Sequence, residues 1–402
     1  MIKNYMTRQI YPDRWFAWTI AIIFIIFLVT WGAVERYSIE LDATYGGATA
    51  EVLTSAESQI PRESESAQNM QRTLGIQRTL VVLVNSSYLV SHNIRLISRE
   101  KARDVVFNKT NAFISENSYG KTSMKGRVVG PYFIDTNDPE IDNSIIFELA
   151  GKDVDLTKYD RVIVFSSVSG RSTVGKQKFT TPDGEAYFSI AYNGDYANYP
   201  LSHELGHSFG TYHTGFLTCD MRNTRANDCQ TSMAAAGPFD PMGTGVGTGH
   251  YTAAHKDLIG WFSPQQAIVA KNSGIYRLEP LETNSNGPKT IKVPLGDNLY
   301  YYLEYRQPVG FDSSANSEIP SYIEKHMYDG VLLYVAPKRI SGWGGGGDVH
   351  LFNPRGQKII NDPEMNHTLK VGETFTDSNG IKISVVKANS VRASVSVRFL
   401  KQ

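Results

Sequence analysis

Three histidines, a glutamate and a glycine stand at fixed spacing in one stretch near the middle of the chain. The stretch reads His203-Glu204-Leu205-Gly206-His207-Ser208-Phe209-Gly210-Thr211-Tyr212-His213. On a helix, residues four apart leave from the same face about one turn apart, so His203 and His207 can bind one metal ion together. Gly210 can adopt the positive φ that ends a helix and turns the chain back. His213 can then approach the same ion from beyond the helix end.

This spacing, H-E-x-x-H-x-x-G-x-x-H, predicts a catalytic zinc site rather than a structural one. Three neutral imidazole nitrogens leave one coordination position of the metal open, as in catalytic zinc centres. Glu204 lies about 100° round the helix from His203, and we expect it to act as general base and acid rather than as a ligand. A histidine-rich surface helix and a metal-free descendant of a peptidase are the alternatives. The motif keeps all of its positions, which favours the catalytic interpretation with Zn²⁺ as the cofactor.

A second motif follows the first and resembles a known family. Phe239-Asp240-Pro241-Met242-Gly243 is similar to the methionine turn of the metzincin zinc endopeptidases. Residues 252–261, which read TAAHKDLIGW, resemble the gametolysin-like branch of that clan. Weaker similarities are ENSYGK at 116–121 and YLEYR at 302–306, so the likeness covers roughly residues 78–400.

The resemblance carries expectations for the fold and for the site. It implies a metzincin-like catalytic domain, with a twisted, mostly parallel sheet and a zinc helix, and it implies that Met242 supports the metal site from below. One position departs from the family, because Thr244 stands where some metzincins have a tyrosine that can ligate the metal. Tyr251 is too distant in sequence to take over that role by spacing.

The amino-terminal part is predicted to attach the protein to a membrane. Residues 15–34 carry no charge, and as a helix they would span about 30 Å of hydrocarbon. Basic residues precede this run, so residues 1–14 should stay inside. The long apolar core and the lack of an evident cleavage site favour an uncleaved signal anchor over a cleaved export signal or a buried soluble helix. Residues 35–77 are polar and are predicted to be a stalk or a pro-segment.

Residues 78–265 are predicted to form the zinc metallopeptidase domain. Apolar runs predict buried strands at 79–84, 128–134 and 161–165, and helical spacing predicts a helix over 101–117. The run 185–192 stands where the resembled fold has an antiparallel edge strand, to which an extended substrate would pair. An ordinary core strand is the alternative for this run.

Residues 266–402 are predicted to form an all-β sandwich, which makes the whole chain α+β. Short alternating runs separated by turn residues predict its strands, at 275–278, 299–305, 331–335, 381–386 and 393–398. A helix is expected only around 320–326. His255 is expected to be an ordinary core or surface histidine, although it closely follows the methionine turn.

Charge and cysteine content limit the remaining classes. Forty basic and forty acidic residues balance to a net charge of zero, and no basic block or base-stacking pattern indicates nucleic acid. Cys219 and Cys229 could form a disulfide in an oxidising compartment, and two free thiols are the alternative. Neither cysteine lies in the amino-terminal segment, so none there could block the metal.

The sequence therefore predicts a membrane-anchored, extracytoplasmic zinc endopeptidase. Its partners would be the membrane, through residues 15–34, and an extended polypeptide substrate. The resemblance suggests an extracellular matrix or cell-wall protein as that substrate. Two alternatives remain open: a catalytically spent surface adhesion protein, and a zinc hydrolase of non-peptide cell-wall amide bonds.

Overall fold

The apolar run that begins at residue 79 forms an interior strand of a six-stranded sheet in the computed structural model. The model describes residues 73–166, 171–194, 198–218, 230–232, 239–243, 249–296, 298–313, 327–338, 347–354 and 367–400. The sheet consists of β1 (Gly75–Ser86), β2 (Thr122–Ile134), β3 (Arg161–Phe165), β4 (Arg171–Ser172), β5 (Gln177–Thr181) and β6 (Gly184–Asn193). The order is β2-β1-β3-β6-β4, with β5 also pairing to β6. Strands β2, β1, β3 and β6 are parallel, which explains why β1 and β3 are apolar on both faces.

The strand before the metal motif is a core strand, the alternative to the edge strand that the family resemblance implied. Strand β6, which contains residues 185–192, pairs in parallel with β3 on one side. On its other side it pairs in antiparallel with β4 and β5. The physical reason is that the chain makes two short antiparallel strands just before β6, and these cover its free side. The antiparallel edge of this sheet is therefore formed by β4 and β5, and β6 is a core strand.

Helices pack on both faces of this sheet. The α-helices of the described chain are α1 (Ser87–Ser91), α2 (Arg99–Arg103), α3 (Asn111–Asn117), α4 (Asn143–Gly151), α5 (Asn198–Phe209) and α6 (Ala253–Leu258), with a π-helical segment (Asp104–Thr110) joining α2 to α3. The helix predicted over 101–117 is confirmed by α2, α3 and this joining segment. Val81 and Leu83 of β1 pack with α2, α3 and α5, whereas Leu80 and Val82 pack with α4. The two-residue period of a strand thus supplies one core on each face.

The remaining strands form two further sheets. They are β7 (His213–Thr218), β8 (Gln230–Ser232), β9 (Ala267–Val269), β10 (Gly274–Leu278), β11 (Thr290–Gly296), β12 (Leu299–Tyr305), β13 (Gly330–Pro337), β14 (Gly347–Phe352), β15 (Leu369–Lys370), β16 (Thr374–Thr376), β17 (Ile381–Asn389) and β18 (Arg392–Phe399). One sheet has the order β8-β7-β14-β13-β12-β11-β9, with β15 on β13, and the other has the order β10-β18-β17-β16. Both sheets contribute to one buried apolar cluster, for example through Leu333 and Val395. All the strands predicted after residue 266 are present, and the described chain is mixed α+β with more strand than helix.

The predicted boundary at residue 265 crosses a shared sheet. Strand β7, which directly follows the metal motif, pairs in parallel with β14 from the carboxy-terminal part. Residues Ser64–Gln402 accordingly make up one compact unit. Strand pairing places the third histidine of the motif on a sheet that is built mostly from residues after 265.

Several sequence predictions lie outside the described residues. These are the segments 1–14 and 15–34, the polar segment up to residue 72, Cys219, Cys229, Thr244 and the helix expected around 320–326. Within the described part of the chain, no helix is both long and apolar enough to cross a bilayer.

Candidate metal centre

Helix α5 carries the first two histidines of the motif on one face. It ends at Phe209, and Gly210 follows with φ of 106°, the positive value predicted for this glycine. The Gly210 N–H donates to the carbonyl of His207 over 2.7 Å, which satisfies a carbonyl at the helix end. The chain thereby turns back sharply beyond α5.

His213 begins strand β7 and returns to the face of α5 that holds the other two histidines. The potential ligand atoms of His203, His207 and His213 all lie within 4.8 Å of one another. The Nε2 atoms of His207 and His213 are 3.1 Å apart. The three side chains are thus grouped so that they could hold one metal ion.

Hydrogen bonds to backbone carbonyls orient two of these rings. The Nδ1 of His203 lies 2.6 Å from the carbonyl oxygen of Pro241, and the Nδ1 of His207 lies 2.9 Å from that of Thr211. A carbonyl oxygen only accepts, so each Nδ1 must carry the proton. In the neutral ring the lone pair is then on Nε2 and is available to a metal.

Burial keeps two of the three histidines neutral. Burial first and the neighbouring His203 second lower the pKa of His207 to about 3. Burial and His203 also lower the pKa of His213, to about 4. Both imidazoles are therefore uncharged near neutral pH, which is the form that binds metals.

Glu204 is the one carboxylate of the motif, and it is almost fully buried. Its side chain is 3% exposed, and Oε2 has no hydrogen-bond partner among the described residues. Burial raises the pKa of Glu204, and the Ser172 hydroxyl and His203 oppose this shift without cancelling it. A buried carboxylate oxygen without a partner is unfavourable for folding, and such groups concentrate at functional sites.

Met242 lies beneath helix α5. A Cβ on Gly206 would come within 2.0 Å of the Met242 Sδ, so the sulfur rests directly on the turn of α5 between His203 and His207. Met242 is completely buried. The absence of a side chain at Gly206 allows this close approach.

Asp240 joins the turn that contains Met242 to the surrounding elements, and no pattern in the sequence marked it as functional. Its Oδ1 accepts from the Met242 N–H over 3.0 Å. Its Oδ2 accepts from the Thr214 hydroxyl over 2.6 Å and from His255 Nδ1 over 2.8 Å. Burial opposes ionisation of this carboxylate, but His255, Thr214 and the Met242 N–H outweigh it and lower the pKa of Asp240 to about 2. Thr214 follows His213 directly, and this adjacency was the only sequence signal.

Two more residues that sequence reasoning missed fix helix α5. The Tyr251 hydroxyl donates to the carbonyl of Ser202 over 2.5 Å, so Tyr251 holds the backbone next to His203. The buried Arg161 of β3 donates to the carbonyl of Ser208 over 2.6 Å and stacks on the ring of Phe209 at 3.8 Å. An arginine inside a strand gave no indication of this contact, because it depends on the packing of β3 against α5.

The structure therefore brings together all six described residues for which the sequence predicted a role at the site. These are the ligand candidates, the base candidate and the two supporting residues, namely His203, His207, His213, Glu204, Gly210 and Met242. The predicted disulfide between Cys219 and Cys229 remains a prediction. Comparison of the chain with models of protein families and with curated proteins finds no match.

Proposed function

We propose that the protein is a zinc endopeptidase of the metzincin type, similar to the gametolysin-like branch. The observation that carries the proposal is the buried, unpartnered carboxylate oxygen of Glu204 beside three clustered histidines. A purely structural metal site would have no need of that carboxylate. Its raised pKa suits a group that accepts and returns a proton.

The donor set supports zinc as the metal. Zinc takes imidazole nitrogens at about 2.0–2.1 Å in tetrahedral geometry, which sets two nitrogens about 3.3–3.4 Å apart. The Nε2 atoms of His207 and His213 are separated by 3.1 Å, close to that value. Three protein ligands with a fourth position open is the arrangement of catalytic zinc. The three histidines therefore fit a zinc ion.

The chain's own residues would divide the chemistry as follows. A bound zinc supplies Lewis acidity for activating water and polarising the carbonyl group of the substrate. Glu204 accepts a proton from the attacking water at its free Oε2 and then delivers it to the nitrogen of the leaving amine. His203, His207 and His213 hold the metal through Nε2, and Met242 supports helix α5 without touching substrate.

The edge of the first sheet supports an extended polypeptide as substrate. Strands β4 and β5 form the antiparallel edge, and Ser172 of β4 lies close enough to Glu204 to influence its pKa. An extended peptide can add to such an edge through main-chain hydrogen bonds. The proposal of a matrix or cell-wall protein, and of attachment through residues 15–34, still rests on the sequence alone.

The test compares the wild-type chain with Glu204→Gln, which keeps the size of the side chain but cannot act as a base. Zinc per chain and cleavage of casein would be measured on the full-length protein in detergent, with and without a chelator. We expect one zinc in both proteins and a loss of cleavage of about 10²–10⁴-fold in the variant. His207→Ala serves as the control that loses the metal.

Other outcomes would favour the alternatives. Zinc in both proteins with chelator-sensitive cleavage in Glu204→Gln would remove Glu204 as the base. Zinc in both without cleavage of casein by either would favour a binding protein or a hydrolase of non-peptide amides, and peptidoglycan fragments would then be the next substrates. Absence of zinc from the wild type would refute the proposal.

A further inference from the structure

A buried Asp–His pair lies behind the candidate metal centre, outside the predicted ligand set. The side chains of Asp240 and His255 are both 0% exposed, and Oδ2 and Nδ1 are 2.8 Å apart. Asp240 belongs to the turn that holds Met242, and His255 lies on helix α6. Filling a core with such a polar pair is seldom better for stability than filling it with apolar side chains. The pair therefore calls for an explanation other than fold stability.

The contacts of Asp240 run directly to the third ligand. The Thr214 hydroxyl donates to Asp240 Oδ2 over 2.6 Å. The backbone N–H of Thr214 donates to the carbonyl of Met242 over 2.9 Å. Thr214 is thus held at two atoms by one turn, and His213 is the preceding residue. Fixing Thr214 fixes the start of β7 and hence where the His213 ring stands.

His255 is in turn a fixed support. Its backbone N–H donates a hydrogen bond to the Thr252 hydroxyl at the start of α6. The N–H of Ala253 donates to the buried carboxylate of Glu304 over 2.6 Å, which ties α6 to β12. Among the described residues His255 Nε2 has no hydrogen-bond partner, and in that part of the chain the contact with Asp240 is the hydrogen bond that this ring makes. The ring thus faces Asp240 with Nδ1 while Nε2 is left without a partner there.

We propose that Asp240 and His255 are positioning residues of the metal centre, which hold Thr214 and the Met242 turn so that His213 meets the nitrogens on α5. Partners of this kind orient metal ligands through hydrogen bonds, and their removal lowers metal affinity about 10–100-fold. This inference rests on the proposed function only for the presence of a metal. Peptide hydrolysis is not needed for it.

The experiment measures zinc affinity on the full-length chain in detergent by competition with a chromogenic chelator. Thr214→Val removes one hydroxyl and keeps the shape of the side chain. His255→Leu removes the ring donor, and His255→Asn restores an N–H near the place of Nδ1. The matched control is Thr290→Val, because Thr290 is also a buried threonine of the same large sheet and its hydroxyl donates to the carbonyl of Leu303 over 3.0 Å.

We expect Thr214→Val and His255→Leu to bind zinc about 10–100-fold more weakly than the wild type, and His255→Asn to recover most of the loss. Thr290→Val should lower the melting temperature but leave zinc affinity unchanged. With Co²⁺ in place of zinc, the visible absorption of Thr214→Val should differ from that of the wild type, because the third nitrogen is displaced. A role limited to stability would not change that spectrum in folded protein.

Zinc affinity and a Co²⁺ spectrum of Thr214→Val equal to those of Thr290→Val would overturn the inference. If His255→Leu does not fold, the zinc affinity and the Co²⁺ spectrum of Thr214→Val are enough to decide the inference. A wild type that binds zinc but cleaves no substrate would refute the peptidase and leave the positioning role supported by the affinities. A wild type that binds neither zinc nor Co²⁺ would refute both.

Discussion

The position of one proton on each imidazole determines whether the three histidines can serve as ligands. The carbonyls of Pro241 and Thr211 select the Nδ1–H form of His203 and His207, so that Nε2 faces the other rings. His207 Nε2 lies 3.1 Å from His213 Nε2, and its lone pair is available to a cation that the rings would share. The hydrogen bonds from His203 and His207 to the backbone thus leave the Nε2 atoms of both rings able to bind a metal.

Burial of the ligands predicts how the stability of the metal-free protein depends on pH. The pKa values of about 3 for His207 and about 4 for His213 lie below the value of about 6.5 for an unfolded histidine. Below pH 6.5 the unfolded chain therefore binds protons that the folded chain does not. These two histidines therefore leave the free energy of unfolding of the metal-free protein at its full value above about pH 6.5. That free energy decreases as the pH falls towards 4.

The measurement is the urea midpoint of the chelator-treated protein from pH 7 to pH 4.5. We expect the midpoint to fall with pH more steeply in the wild type than in a His207→Gln, His213→Gln double variant. Near pH 5 the difference should correspond to about two protons taken up on unfolding. Equal slopes in both proteins would contradict the assigned pKa shifts.

At the scale of elements, the site depends on the close approach of helix α5 to the turn that holds Met242. Gly206 faces the Met242 sulfur, and a methyl group there would lie 2.0 Å from Sδ. Tyr251 and Arg161 hold the two ends of the same helix segment. The helix that carries His203 and His207 is thus fixed from below and at both ends.

This contact predicts strong coupling between Gly206 and Met242. Gly206→Ala should overpack the contact and destabilise the protein by about 1–3 kcal/mol. Met242→Ala should leave a cavity and cost about 2–5 kcal/mol. In the double variant the new methyl group occupies part of the space left by the sulfur, so its destabilisation should be smaller than the sum of the two single effects.

A double-mutant cycle of urea unfolding checks this prediction. The matched control replaces Gly206→Ala by Gly151→Ala in the same cycle with Met242→Ala. A Cβ at Gly151 meets a Pro182 ring carbon at 3.0 Å, away from Met242, so its effect should add to that of Met242→Ala. Additive effects of Gly206→Ala and Met242→Ala would show that the sulfur does not rest on the helix.

At the scale of the whole molecule, the carboxy-terminal strands are part of the framework of the metal centre. His213 pairs in register with Gly347 across β7 and β14. A second connection is a buried ionic cluster, in which Arg306 of the loop after β12 binds Glu304, Asp312 and the carbonyl of His250. His213 and the segment leading to α6 are therefore both held by residues that follow residue 265.

A truncated chain tests this dependence. Residues 73–265 contain the complete motif and the methionine turn but lack β14, Glu304 and Arg306. We expect this fragment to bind no stoichiometric metal, because β7 loses its main partner strand and buried polar groups lose theirs. Residues 73–400 serve as the control and should bind one equivalent. Metal analysis together with circular dichroism would decide, and a folded fragment 73–265 with one bound metal would contradict the prediction.

Most secondary structure could be predicted from the sequence because it depends on local patterns. The apolar run at 79–84 and the alternating runs after 266 became strands, and the spacing over 101–117 became helix. For the run 185–192 the sequence left an edge strand and a core strand both open, since its own residues do not show that β4 and β5 precede it and cover it. An edge strand is defined by the neighbours it lacks, and those neighbours are set by the whole sheet.

By itself the sequence determined which residues meet at the candidate site. Four-residue spacing on a helix and a positive φ at Gly210 are local properties, so His203, His207 and His213 could be grouped without knowledge of the fold. Only the tertiary structure decided what holds them there: the pairing of β7 with β14, the contact of Met242 with Gly206, and the bonds of Asp240 to Thr214 and His255. These contacts join residues far apart in the sequence, and only packing of the complete chain brings them together.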